Sequence, residues 1–367
     1  MRVICSKENL MEGINIVQKA VSAKTTLPVL EGILVEAGEG FKLTANDMEI
    51  GIECYIEADV REKGAVVINS RMFGDIVRRM PESEVLIEVK EKNNVIIECE
   101  NSHFEIKGFN ADDFPPLPEI KKEDAFVIKQ KVIREMIRQT LFAVSIDENR
   151  PILTGSLFEC AEGSLTVVSI DGFRLALRKH EIGEGVKGYK VVIPGKTLNE
   201  IIKIMQPVEE AVTIFSSGSQ ILFDMGKCKV VSRLLDGEYL NYRTVIPKEF
   251  EIKVKIGTKE LLAGMERAHL VTMGEKRYPV ILNLADDKMV ISANTNIGAV
   301  REEINVEMTG GKLDIAFNPA YFIEALRVIE DEKIDIYFTT SVGQCIIRPE
   351  EGDRYIYLIV PVRFKSN

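Results

Sequence analysis

Residues 67–80 read VINSRMFGDIVRRM, a short apolar strand, a polar turn and an amphipathic helix, and the same design returns twice. The second copy is VIPGKTLNEIIKIM at 192–205, and the third is AFNPAYFIEALRVI at 316–329. Aligning Ile68, Ile193 and Phe317 gives spacings of 125 and 124 residues. A second landmark keeps the period: Asp47 in LTANDMEIGIE, Asp171 in VVSIDGFRLALR and Thr295 in ISANTNIGAVRE lie 124 residues apart each time. A third, Pro28, Pro151 and Pro279, is spaced 123 and 128. Three landmarks in one order at one period define a threefold internal repeat.

Working outward, each repeat opens with a strand and an amphipathic helix. In the first, Met1 to Cys5 is a strand and Ser6 caps a helix through Ala20, with Leu10, Ile14, Ile16 and Val17 toward one side. LPVLEGILVEA, GFKLTAND and MEIGIECYIEA then alternate apolar and polar residues, the pattern of antiparallel strands with one wet face. After the 67–80 unit come strands EVLIEVKEK, NVIIECEN and HFEIKGF, so the repeat holds two sub-repeats of one design. Phe114-Pro-Pro-Leu-Pro118 is an extended linker that neither helix nor central strand accepts. The second repeat has a helix from Gln130 to Val144, and the third has one from Thr258 to His269. The expected fold is α+β: three domains, 1–121, 122–247 and 248–367, each with two helices against antiparallel sheet. Joined edge strand to edge strand, such domains make an arc, and head-to-tail pairing of arcs closes a ring.

Bulk composition sets limits. A chain of 367 residues with 46% hydrophobic and 28% charged residues builds ordinary cores. The apolar runs are strand-sized and MRVICSKENL has no signal-peptide core, so the expected location is the cytoplasm, with no membrane partner. Six cysteines (5, 54, 99, 160, 228 and 345) contain no CxxC pair and read as buried thiols in a reducing compartment, not as disulfides or a metal site. With three scattered histidines (103, 180 and 269), no metal site and no cofactor are expected. A net charge of −10 excludes a surface that binds nucleic acid all over and leaves room for one basic face.

The quoted segments resemble a known family, the bacterial β sliding clamp, processivity subunit of the DNA polymerase III holoenzyme. TLPVLEGILVEA (26–37), ENRPILTGSLFE (148–159), SIDGFRLALR (169–178), LLDGEYLNYRTVIP (234–247), FNPAYFIEAL (317–326) and YLIVPVRF (357–364) carry it over the whole chain. The resemblance implies a head-to-tail homodimeric ring with helices lining a hole and sheets outside. It implies no enzymatic activity: such a ring encircles duplex DNA without sequence preference. It tethers the polymerase III α subunit, the clamp loader, other polymerases and repair proteins through short peptide motifs.

Three sites follow from it. A partner-peptide pocket falls on Ile170, Gly172, Phe173, Arg174, Leu175, Val245, Val342, Gln344, Leu358, Val360, Pro361, Val362, Arg363 and Phe364. Aliphatic walls with a few polar groups suit a peptide, although composition alone reads these as buried strand residues. Phe173 departs from the histidine of some members. A DNA-facing surface falls on Lys24, Arg71, Arg78, Arg79, Lys131, Arg134, Arg138, Asn149, Arg150, Lys196 and Lys203. Phosphate-directed cations suit sliding, and the plain alternative is a solvated helix face. Pro151 and Ile152 stand where some members have tyrosines, so stacking there is lost. A dimer interface falls on Phe104 and Ile106 with the 71–80 helix on one side, and on Leu270, Val271 and strand 300–304 on the other.

Two rivals remain. A hydrolase on a repeat scaffold would use Asp147, Glu148 and Asp171, but Asp47 and Asp171 recur by symmetry, which points to a turn hydrogen bond. No GxxxxGK[ST] or GxGxxG occurs, and Gly155-Ser156 lacks the second glycine of a nucleophile elbow. A structural ring with no DNA role would have no reason to keep basic residues on its helices.

Overall fold

A computed structural model describes residues 1–22, 25–120, 125–183, 188–274 and 278–363. The first run of elements is β1 (Arg2–Ser6), α1 (Lys7–Val17), β2 (Gly32–Ala37), β3 (Phe41–Asn46), β4 (Ile50–Ile56), β5 (Asp59–Glu62), β6 (Gly64–Asn69), α2 (Ser70–Arg79), β7 (Glu84–Lys90), β8 (Asn94–Cys99) and β9 (Ser102–Lys107). The second is β10 (Ala125–Lys129), α3 (Gln130–Leu141), β11 (Gly155–Ala161), β12 (Ser164–Ile170), β13 (Arg174–Glu181), β14 (Tyr189–Pro194), α4 (Gly195–Ile204), β15 (Ala211–Ser217), β16 (Gln220–Asp224) and β17 (Cys228–Arg233). The third is β18 (Ile252–Gly257), α5 (Thr258–Thr272), β19 (Val280–Ala285), β20 (Lys288–Thr295), β21 (Gly298–Asn305), β22 (Glu307–Thr309), β23 (Leu313–Phe317), α6 (Pro319–Leu326), β24 (Lys333–Phe338), β25 (Cys345–Pro349) and β26 (Tyr355–Ile359). The order strand, helix, strands, then again strand, helix, strands recurs in each run. The internal repeat is real.

Two compact units form, residues 1–131 with 203–234 and residues 132–202 with 235–367. The first unit holds a sheet of order β5-β1-β7-β8-β9 and another of order β10-β15-β16-β17-β4-β3-β2-β6. The second holds β14-β11-β12-β13-β26-β25-β24-β18-β22 and β21-β20-β19-β23. The two long sheets each join strands of consecutive repeats, through β17 against β4 and β13 against β26, both antiparallel. That is the edge-to-edge junction expected from the sequence.

Local chemistry explains the elements. Ser6 caps α1 by accepting the Asn9 N–H at 3.2 Å, and Leu10, Ile14 and Val17 are buried. Burying each such side chain stabilises by about 2 kcal/mol. Asn69 and Asn318 cap α2 and α6 in the same way. Asp47 accepts the Glu49 and Ile50 N–H groups, and Asp171 accepts those of Phe173 and Arg174. The recurring carboxylates therefore close turns between strands.

Two expectations are corrected. Pro28–Glu31 is a 3-10 turn, not the start of the strand, and Pro151–Thr154 repeats it, each with proline at its first position. A fixed proline φ suits such a turn. Pro279 is no counterpart of these prolines. Ile68, Ile193 and Phe317 pair with Ile33, Ser156 and Val280, so Val280 lies one residue after Pro279, whereas Ile33 and Ser156 lie five after theirs. The irregular 128-residue spacing is thus a chance proline at a strand entry.

Candidate partner groove and nucleic-acid surface

The junction of β13 and β26 organises the expected pocket. Its side chains alternate with period two. Ala176, Tyr357 and Ile359 enter one core, while Leu175, Leu177 and Leu358 enter an apolar cluster on the opposite face. Ile170 belongs to that second cluster, and Val245 and Val360 pack against it half-buried. The pairing runs on past the strand, because Val360 N–H donates to the Phe173 carbonyl at 2.9 Å. Pro361 then turns the chain, and Val362 N–H donates to the Ala316 carbonyl at 2.8 Å. Ile170, Leu175 and Leu358 are a buried floor, whereas Phe173 (58% exposed) and Val342 (75% exposed) are open to solvent over much of their surface. Gln344 and Pro361 are half-buried and Arg363 is exposed, while Phe364 lies outside the described residues.

A separate cavity of about 690 Å³ takes in Phe173, Arg150, His269, Met273, Tyr278 and Tyr321 and none of the three floor residues. Phe173 stacks on Tyr321 with ring centres 6.5 Å apart. Gly172 adopts φ +96° at the mouth, with Arg150 directly over it, so a side chain there would be strained. Arg174 is held by several partners at once. It pairs with Asp171 at 3.0 Å and with Glu324, donates to the Phe142 carbonyl at 2.6 Å and lies 4.6 Å from the Tyr321 ring centre. It braces the groove through three of its five N–H donors. Sequence reasoning missed Tyr321, Tyr278, Ile152, Leu235 and Tyr239. All but Tyr278 lie within the quoted segments ENRPILTGSLFE, LLDGEYLNYRTVIP and FNPAYFIEAL, which was the only signal they carried.

A buried carboxylate holds the groove wall. Glu159 of β11 accepts from Tyr242 at 2.6 Å, Arg243 at 2.6 Å and Lys190 at 2.7 Å. Burial alone would raise its pKa, but the hydrogen bonds from Arg243, Lys190 and Tyr242 outweigh that and hold it down to about 2. The bonds fix the turn Tyr242–Thr244, which delivers Val245 to the cluster.

The expected DNA-facing cations are mostly paired already. Arg78 and Arg79 share Asp75, Lys131 meets Glu209, Arg138 meets Glu135 and Glu330, and Arg150 meets Asp147. Arg134 donates to the Ile202 carbonyl at 3.1 Å from a partly buried site, which makes it structural as well. Asn149 donates to Asp147, and Lys196 and Lys203 are exposed on α4. Lys24 lies outside the described residues. Arg71 and Arg79 share a notch of about 400 Å³ with Met72, Ile76 and Phe104, which sets them beside the expected interface. There, β9 and β21 each form one end of their sheets, β5 and β23 forming the other ends among the described residues. Phe104 and Ile106 lie on β9, and Leu270, 66% exposed, with Val271 ends α5.

The rival hydrolase finds no support in this geometry. Asn149 and Arg150 hold the Asp147 carboxyl below its usual range, the wrong direction for a general acid. Among the described residues no group of three or more metal-ligating side chains occurs, and no helix is long and apolar enough to cross a membrane.

Family models for the N-terminal, central and C-terminal domains of the DNA polymerase III beta subunit match residues 1–118, 127–241 and 243–363. The chain belongs to the DNA polymerase III beta subunit family. Among curated relatives, the beta sliding clamp of Halalkalibacterium halodurans is 35% identical over 99% of this chain and 100% of its own. The beta sliding clamp of Staphylococcus aureus is 34% identical, covering 99% of each chain. Among solved structures, a putative DNA polymerase III beta subunit from Eubacterium rectale superposes with TM-score 0.96 at 40% identity, covering 99% of this chain and 100% of that one. The DNA polymerase sliding clamp of Bacillus subtilis gives 0.97 at 35% identity, with both chains fully covered. The function is that of a DNA sliding clamp, a non-catalytic processivity factor of the polymerase, built from three clamp domains.

Proposed function

We propose that two copies close head to tail into a ring around duplex DNA, with the repeats acting as domains 1–121, 122–247 and 248–367. The open edges β9 and β21, flanked by exposed Phe104 and Leu270, are the surfaces that meet; unpaired strand edges with apolar neighbours favour such pairing. DNA is held weakly and without sequence preference by the cations of α2, α3 and α4 with Arg150. Because most of these already have carboxylate partners, few counterions are released on binding and the ring slides. Partners are the polymerase III α subunit, the clamp loader, other polymerases and repair proteins, in the cytoplasm.

The observation that carries the partner reading is the β13–β26 junction. A buried aliphatic floor there, with half-buried Val245 and Val360 along it, lies beside an exposed aromatic, Phe173, and suits short apolar peptide anchors. The ring is tested by loading the protein with a clamp loader onto nicked circular DNA at raised salt, then linearising it. Retention on the circle with rapid loss from the linear form is expected. Equal loss from both would replace the ring with ordinary electrostatic binding.

A further inference from the structure

Cys54 of β4 and Cys228 of β17 face each other at the junction that unites the eight-stranded sheet. Their Sγ atoms lie 2.7 Å apart, well inside ordinary van der Waals contact. The rung they occupy matters. Tyr55 N–H donates to the Lys227 carbonyl at 2.8 Å and Arg233 N–H to the Glu49 carbonyl at 2.9 Å, which places the ladder bonds on the odd rungs of β4. Cys54 and Cys228 therefore form a non-hydrogen-bonded pair, with Cα atoms on the order of 4.5 Å apart, a spacing that a disulfide spans. Both cysteines are at most 8% exposed, yet both line a cavity of about 940 Å³ beside α1, wide enough for a small oxidant. Either sulfur can be the donor in this contact, so the first proton lost leaves one thiolate held by its neighbour's S–H, and either sulfur can lead an attack. Burial pushes Cys5 up to about 12 and Cys345 higher still, so neither supplies a competing thiolate at neutral pH.

We propose that Cys54 and Cys228 are a peroxide-oxidisable pair that closes as a disulfide across the junction of the first and second repeats. One thiolate of the pair attacks one oxygen of hydrogen peroxide, the O–O bond breaks, and the departing hydroxide takes a proton to become water. The other sulfur then attacks the resulting sulfenic acid, the S–O bond breaks, and the hydroxyl leaves with that thiol's proton as a second water. Two thiols lose two electrons in total and one peroxide gains them. The new bond closes a loop between residues 174 apart and fixes the register of the join.

The full-length chain is treated with hydrogen peroxide, then denatured with an alkylating reagent and digested. Four of the six cysteines should remain alkylated, and the peptides of Cys54 and Cys228 should appear as one linked species that dithiothreitol separates. Retention of all six thiols, or oxidation that leaves these two on separate peptides, overturns the proposal. The oxidised chain should melt about 5 °C or more higher and return on reduction. A lower midpoint would mean that the bond distorts the rung, and overturns it as well. In Cys54→Ser the linked species should vanish, and a new link from Cys228 to another cysteine would overturn the pairing. The peptide map of the unsubstituted chain stands even where that variant folds poorly.

Discussion

Glu159 carries three charge-assisted hydrogen bonds while its side chain is about 4% exposed, and its value for stability depends on pH. Its folded pKa of about 2 lies below the ordinary 4.5. A depressed carboxylate contributes fully above the unfolded pKa, and the contribution is lost as pH falls through the folded one. Glu159→Gln should therefore cost about 1–3 kcal/mol at pH 7, toward the lower end because water screens its exposed cation partners. Denaturant unfolding should show the gap narrowing as pH drops from about 4.5 toward 2; a gap independent of pH would place the loss in packing. Phe173 and Arg174 are neighbours with opposite consequences. Phe173→Ala should leave the melting temperature nearly unchanged and weaken a polymerase-derived peptide by about tenfold or more, read by titration. Arg174→Ala should destabilise by about 2–4 kcal/mol, because it strands Asp171 and Glu324.

At the scale of elements, the helices and their caps were legible from local signals: Ser6 before an amphipathic run, the asparagines before α2 and α6, and the polar turns at Asp47 and Asp171. Period-two strands were legible for the same reason. What was not legible depends on pairing between distant strands. The 3-10 turns after Pro28 and Pro151 sit in stretches whose composition suits a strand, and only the register with β6 and β14 shows where the strands begin. Tyr321 looks like any core residue of a helix until β13 brings Phe173 against it. Cys54 and Cys228 could not be paired from a sequence that separates them by 174 residues. The segment after β26 gives an element-scale test. Deleting residues 361–367 removes the Val362–Ala316 bond while leaving β26 in place. Peptide binding should be lost and the melting temperature should move by only a few degrees; unchanged affinity would remove Pro361 to Arg363 from the groove.

At the scale of the whole molecule, assembly is decided at the open edges. Ile106→Asp on β9 puts a charge into the proposed interface and should yield monomers of 41.2 kDa by sedimentation at micromolar concentration. The variant should still bind peptide and should lose its hold on circular DNA, and a persistent dimer would move the interface elsewhere. The junctions inside the chain carry a different consequence. The eight-stranded sheet takes β4, β3, β2 and β6 from the first repeat and β10, β15, β16 and β17 from the second. A single repeat alone would leave β4, or its counterpart, as a bare edge with buried side chains on both sides of it. If the three repeats descend from one by duplication, that ancestor could not have persisted as a solitary domain. It must have met its own kind edge to edge, so association came before gene fusion, and fusion only made an existing neighbour permanent.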